Sequence, residues 1–268
     1  MPIRPLRSAL YVPATNARAL EKARTLPCDA IIFDLEDAVS PDRKDEARAH
    51  LIAALRTTDY GHRLRLVRVN DATDIDALAD VPLDALVLPK VRSADLPDSP
   101  HPLWVMMETA QAVLNAPAIA AHPRVEGLIM GTNDLERELH LRPRPDRLGL
   151  IHALGACVLA AKAAGKPILD GVQAAIHDRT ALRHEAEQGL DLGFDGKTVI
   201  HPAQLEVVNE IFRPSAAEVD LARRQIAAHA AAEREGSAIA VVDGRIVEAL
   251  HVAMARRTLA LNDAIESL

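Results

Sequence analysis

Aromatic side chains are almost missing from this chain: three Phe, two Tyr and one Trp among 268 residues. A core must therefore be built from Ala, Leu, Val and Ile, which suits parallel strands wrapped by helices. Cysteine is nearly absent too. Cys28 and Cys157 lie far apart, without a Cys-x-x-Cys or a His cluster, the pattern of reduced thiols in a cytoplasmic protein. None of the 11 histidines has metal-ligand spacing such as His-x-x-x-His. Basic charge is in deficit, with a formal net charge of -7, which argues against a general nucleic-acid or anionic-membrane binder. A local basic pocket for a phosphorylated ligand stays open. No apolar run is long enough to span a bilayer: residues 148–161 include His152, and 8–14 end at Pro13, Asn16 and Arg18, too soon for a signal peptide. Neither Gly-x-Gly-x-x-Gly nor a Walker loop occurs. There is no internal repeat, and the one biased stretch, Arg142-Pro-Arg-Pro-Asp-Arg147, reads as a rigid exposed loop.

What is present is an alternation. Apolar runs predict strands over 9–12, 30–33, 64–69, 85–88, 103–107, 127–130, 167–169 and 197–200. Between them, helices are expected over 17–24, 41–56 with Ser40 as N-cap and Pro41 at the first position, 110–121, 146–164, 178–188 and 202–212. Eight such units predict an α/β fold, a (β/α)8 TIM barrel over residues 1–213. Residues 214–268 add a helix over 216–234, a strand pair turning at Asp243-Gly244 and a helix over 248–265. This extension reads as a lid over a barrel mouth or an arm to a neighbouring subunit.

In a parallel barrel, ligands bind at the C-terminal strand tips. Those tips here carry Asp34-Leu-Glu36-Asp37, Arg68-Val-Asn70, Pro89-Lys90, Glu108, Asn133-Asp134, Asp170 and His201. Glu108 and Asp134, on adjacent tips, offer hard oxygen ligands for Mg2+, although either acid alone could simply cap the helix that follows. Arg68 points into the mouth if Leu64 and Leu66 share its face. There it could bind a carboxylate and stabilise an oxyanion, or serve as a partner for Glu36 or Asp37. Glu36 and Asp37 are read as groups orienting Arg68, Lys90 or metal waters, with solvated helix-entry charge as the alternative. Lys90 is read as a salt-bridge residue, because a Schiff base would be redundant beside a metal.

The segments Arg7-Ser-Ala-Leu-Tyr-Val-Pro13, Phe33-Asp-Leu-Glu-Asp-Ala38, Arg68-Val-Asn70, Leu88-Pro-Lys90, Met107-Glu-Thr109, Gly131-Thr-Asn-Asp-Leu135 and Gly193-Phe-Asp-Gly-Lys-Thr-Val-Ile-His-Pro202 follow one another as in the HpcH/HpaI aldolase and citrate lyase family. The chain resembles a stand-alone relative of the citrate lyase beta subunit. That resemblance runs from Arg7 to the final helix and is most specific over 193–202.

It implies a Mg2+-dependent lyase that makes or breaks a carbon-carbon bond between an acyl-CoA and a 2-oxo acid, with substrates of malyl-, citramalyl- or citryl-CoA type. Glu108 and Asp134 would hold the metal, and Arg68 would polarise the oxygens it chelates. Gly131, Thr132, Asn133 and Gln111 would contact substrate. Asp243 would move a proton from a lid reaching an adjacent subunit, with Glu36 and Asp37 assisting the site, in a homo-oligomer (trimer or hexamer). Arg7 and Lys22 would meet the CoA phosphates near the mouth. Gln111-Ala112 replaces an Arg-Gly pair of many relatives, and Gln173-Ala174 occupies a loop that often carries Tyr and Asn, so both are expected in the substrate pocket. A thioesterase on the same thioesters, or a non-catalytic or partner-dependent subunit, are the competing readings.

Overall fold

The computed structural model describes residues 4–268. Its chain divides into two compact units, Leu6–Phe212 and Arg213–Leu268, with Arg4 and Pro5 grouped with the second. In the first unit eight parallel strands form a closed (β/α)8 TIM barrel: β1 (Ser8–Pro13), β2 (Ala30–Asp34), β3 (Leu64–Arg68), β4 (Ala85–Leu88), β5 (Leu103–Met107), β6 (Val125–Met130), β7 (Ile168–Asp170) and β8 (Gly196–Val199). Leu10 of β1 pairs with Val199 of β8 on one side and with Ile31 of β2 on the other, which closes the ring.

Both strand faces are buried, so the period of two is hidden in continuous apolar runs. Ala9, Ala30, Ile32, Leu66, Ala85, Val87, Trp104, Met106, Ile129 and Leu169 fill the barrel interior. Their neighbours, such as Ile31, Phe33, Val67, Leu86 and Val105, pack outward against the helices. Small interior residues leave room for the single Trp. Gly127 completes that space, because a Cβ there would lie 2.6 Å from the Trp104 ring. The β5–β6 register shifts beside the same residue.

The helices differ from expectation where a side chain or a proline intervenes. Ser40 makes no side-chain cap; Pro41–Arg43 is a 3-10 turn, and the helix is Lys44–Thr57, burying Ala47, Leu51 and Leu55. Each of those two leucines contributes about 1.5–3 kcal/mol through burial. The segment 110–121 splits at Asn115 into Ala110–Leu114 and Ala116–Ala121, the second with a proline in its first turn. The helix expected from 146 starts at Ile151.

Its delayed start has a cause. Arg147 adopts a positive φ of 50° and turns inward, where its Nη1 donates to both oxygens of buried Asp170 at 2.9 and 2.8 Å. The stretch 142–147 is therefore not simply an exposed loop, since the Arg147 side chain is only 4% exposed. Lys197, fully buried on β8, donates to Asp170 at 3.2 Å and to the Gly171 carbonyl at 2.6 Å. A desolvated ammonium persists only with such partners. Together they tie the 142–147 loop to the ends of β7 and β8.

The second unit contains the helix Ala216–Arg234, opened by a reciprocal Ser215/Glu218 cap, then β9 (Ala240–Val242), β10 (Arg245–Val247) and the helix Ala249–Glu266. Asp243 and Gly244 both take positive φ, 50° and 76°, as a two-residue hairpin turn requires. Ala240, Val247 and Val252 form its small core. Among the described residues, no helix is long and apolar enough to cross a membrane.

Candidate active site

The C-terminal strand tips enclose a cavity of 350 Å³ whose wall includes Tyr11, Asp34, Arg68, Glu108, Gly131 and Asp134. Arg68 ends β3, directly opposite Asp34 in the β2–β3 register. Its Nε and Nη2 donate to the two Asp34 oxygens at 2.7 and 2.6 Å, a bidentate, charge-assisted pair. Asp34 also accepts the backbone N–H groups of Glu36 and Ala38. One carboxylate thus holds both the guanidinium and the loop bearing the next two acids.

The third guanidinium nitrogen, Nη1, lies 3.0 Å from Glu36 Oε2 and 3.5 Å from Asp37 Oδ2. The Glu36 contact is an ion pair by distance but not a directed hydrogen bond, so Oε2 is a buried acceptor without a donor. Burial, opposed by the Arg68 charge and reinforced by Asp37, pushes the Glu36 carboxyl up to about 7. Arg68 stays protonated: burial lowers its pKa, but the Asp34 hydrogen bond and surrounding negative charge outweigh it.

Glu108 follows β5 and is 1% exposed. Lys90 follows β4 with a positive φ of 53°, and its backbone N–H donates to Glu108 Oε1 at 2.6 Å. The other oxygen, Oε2, is buried and has no hydrogen-bond partner. Burial raises the Glu108 pKa against the opposing Lys90 amide and ammonium. Gly131 is required here because a Cβ would lie 2.3 Å from the Glu108 Cβ. It leads into the helix Thr132–Glu138, whose first turn carries Asp134.

The Lys90 ammonium stands 3.1 Å from Asp134 Oδ1, 3.6 Å from Glu108 Oε1 and 3.7 Å from Glu36 Oε1. Burial lowers its pKa, yet the Glu108 charge and the Asp134 hydrogen bond win and raise it. A Schiff-base lysine needs the opposite shift. Asp134 is also paired with Arg137. An orphaned oxygen of Glu108 beside Asp134, in a spot already hosting a cation, fits a hard divalent ion that completes its shell with water and substrate oxygens. No cluster of three or more His, Cys, Asp or Glu ligands occurs among the described residues.

The barrel brings Arg68, Glu36, Asp37, Glu108, Asp134, Gly131, Thr132 and Asn133 to one mouth. Other expectations need correction. Arg7 precedes β1 and grips buried Asp29, which precedes β2, with Nη2–Oδ1 at 2.6 Å. Both therefore lie at the N-terminal end of the barrel, away from the mouth. Lys22 sits exposed in the last turn of the helix Ala17–Ala23, the end remote from the β1 tip. Gln111 is exposed, accepts from Arg92 at 3.2 Å and does not line the cavity, while Ala112 is in the core. Gln173 and Ala174 line an adjoining cavity of 800 Å³ that shares Thr132, Asn133 and Val172 with the first.

In the second unit, the Asp243 carboxylate accepts from Arg224 Nη1 at 2.7 Å, which lowers its pKa and keeps it ionised. Sequence reasoning missed Asp34 as the main Arg68 anchor and Tyr11 beneath the guanidinium, with Arg68 Cζ 5.0 Å from the ring centroid. Both stand at or near strand ends, the signal that could have marked them.

A family model for HpcH/HpaI aldolase/citrate lyase matches residues 7–96 and 98–202. The chain belongs to this family. A (3S)-malyl-CoA thioesterase of Cereibacter sphaeroides is 57% identical over 275 residues, covering 97% of this chain and 96% of the relative. A citrate lyase subunit beta of Leuconostoc mesenteroides is 32% identical, covering 96% of this family member and 93% of the relative. Among solved structures, protein CitE from Mycobacterium tuberculosis in complex with magnesium, acetoacetate and coenzyme A aligns with a TM-score of 0.82. It is 30% identical, and the match covers 96% of this chain and 97% of that one.

Proposed function

We propose that this family member is a Mg2+-dependent enzyme that hydrolyses a 3-hydroxyacyl-CoA thioester of the malyl type. The observation that carries the reading is the buried Glu108 oxygen without a donor, set beside Asp134 in the cavity that Arg68 walls. Two carboxylates suit Mg2+, which keeps water and substrate ligands, and the CitE relative is in complex with magnesium, acetoacetate and coenzyme A. Glu108 and Asp134 would hold the ion, which when bound supplies fixed positive charge that polarises and orients a substrate oxygen. The identity of 57% with a (3S)-malyl-CoA thioesterase favours hydrolysis as the outcome.

The chain's own groups then have defined tasks. Arg68, locked by Asp34, presents a fixed positive charge to the substrate carboxylate and to an oxygen gaining negative charge. Glu36, poised at about 7, can hold or release a proton beside it. In hydrolysis the water oxygen bonds to the thioester carbon, the carbon-sulfur bond breaks, and the water's proton ends on the thiol. The products are malate and free CoA.

The second reading is the lyase, favoured by the citrate lyase relatives. There the bond between the thioester α-carbon and the hydroxyl-bearing carbon breaks. The hydroxyl loses its proton and the α-carbon gains one, for which Asp243 is the proposed carrier. Incubation with (3S)-malyl-CoA and Mg2+ separates the readings. Free CoA with malate supports hydrolysis, acetyl-CoA with glyoxylate supports the lyase, and release of neither overturns both.

A further inference from the structure

Around the acidic cavity the charged side chains are tied into one network, but the Tyr11 hydroxyl is not. Tyr11, on β1, lines the cavity with Arg68, Met106 and Glu108. Its ring is held against the Arg68 guanidinium at 5.0 Å, a cation–π contact that fixes the side chain's direction. Among the described residues its hydroxyl has one partner, the Met106 sulfur at 3.5 Å, a weak acceptor. Hydroxyl groups in a largely desolvated site normally find a better partner than this. Asp34 is engaged by Arg68 and backbone N–H groups and Glu108 Oε1 by Lys90, while Glu108 Oε2, without a donor, is the oxygen proposed above to hold the metal ion.

Chemistry also limits what the hydroxyl can do. Burial, reinforced by the negative charge of Asp34, Glu108 and Glu36 against the opposing Arg68, raises the phenol pKa far above neutrality. Tyr11 is therefore a donor and not a base. Tyr11 and Arg68 wall the same cavity, where an incoming anionic oxygen would be drawn by the guanidinium. A neutral donor there adds a directed bond to an acceptor that Arg68 attracts through charge.

We propose that Tyr11 is a substrate-binding residue whose O–H donates to the carboxylate of an α-oxo or α-hydroxy acid moiety held beside Arg68. This rests on the reading given under Proposed function. The competing role is that of a spacer, a ring that merely fills the top of the barrel under Arg68. Tyr11→Phe separates the two, since it keeps the ring and its cation–π contact and removes only the hydroxyl.

Full-length Mg2+-loaded protein is titrated calorimetrically with oxalate and with pyruvate. Tyr11→Phe is expected to bind both about tenfold or more weakly than the parent, the effect of one hydrogen bond to a charged group. Its affinity for Mg2+ alone and its thermal midpoint should be unchanged. Equal affinities in parent and variant overturn the role while leaving the proposed function standing, provided the parent releases CoA from (3S)-malyl-CoA. Weakened binding accompanied by a lowered midpoint also overturns it, in favour of the spacer. A parent that binds neither acid and releases no CoA overturns the function and the Tyr11 role together.

Discussion

Replacing Asp34 with Asn leaves the Arg68 guanidinium buried without its principal counter-charge. Two charge-assisted bonds, at 2.7 and 2.6 Å, are lost or weakened, each of the class that contributes about 1.5–3 kcal/mol. Glu36 at 3.0 Å and Asp37 at 3.5 Å remain and offset part of the loss. The amide oxygen of Asn can still accept one of the two loop N–H groups. The net destabilisation should be about 3 kcal/mol, within the range for breaking one side of a buried pair. Urea denaturation of the metal-free protein followed by circular dichroism reads it directly. Adding Arg68→Met to Asp34→Asn removes the stranded charge and should recover about 1–2 kcal/mol of that loss. A loss below about 0.5 kcal/mol for Asp34→Asn would refute the claim that Asp34 anchors the site.

Gly131→Ala forces a methyl against Glu108 and should lower Mg2+ affinity, at a stability cost of about 1–3 kcal/mol; unchanged metal titrations would show that the close approach is dispensable. Glu36 links folding to pH. Its folded pKa of about 7 lies above the unfolded 4.5, so the folded state binds the extra proton. Stability is full below about 4.5 and falls by about 3 kcal/mol as pH rises through 7. Glu36→Gln should flatten this slope in metal-free denaturation curves, and an unaltered slope would assign it to other groups. Burial pushes the Cys157 thiol up to about 12, so native protein at pH 8 should resist thiol reagents at this position until denaturant is added. In the lyase reading, Asp243→Ala and Glu108→Ala, each inactive alone, should regain some cleavage of malyl-CoA to acetyl-CoA when mixed under subunit exchange if Asp243 serves a neighbouring subunit; no recovery removes that role.

The barrel was legible because parallel strands buried on both faces leave apolar runs that turn-forming residues interrupt. Glu108, Asp134 and Arg68 could be located because each ends or follows such a run, and a residue at or after the C-terminal end of a parallel strand sits at the mouth. The same geometry explains the Arg7 error: a residue just before a strand sits at the opposite end, where Arg7 meets Asp29. Local spacing could not tell which of Asp34, Glu36 and Asp37 takes Arg68, since that depends on register, and register sets Asp34 opposite Arg68. Nor could it show that Lys90 adopts a positive φ and offers its amide to Glu108. Arg147 looked like a loop charge because its partner, Asp170, is 23 positions away in sequence.

The proposed function depends on a Mg2+ site formed by Glu108 and Asp134. Calorimetric titration of Mg2+ into the metal-free parent, Glu108→Gln and Asp134→Asn tests it most directly. One site is expected in the parent and at least tenfold weaker binding in each variant, with circular dichroism unchanged. Equal Mg2+ affinity in all three proteins, or no binding by the parent, would contradict it.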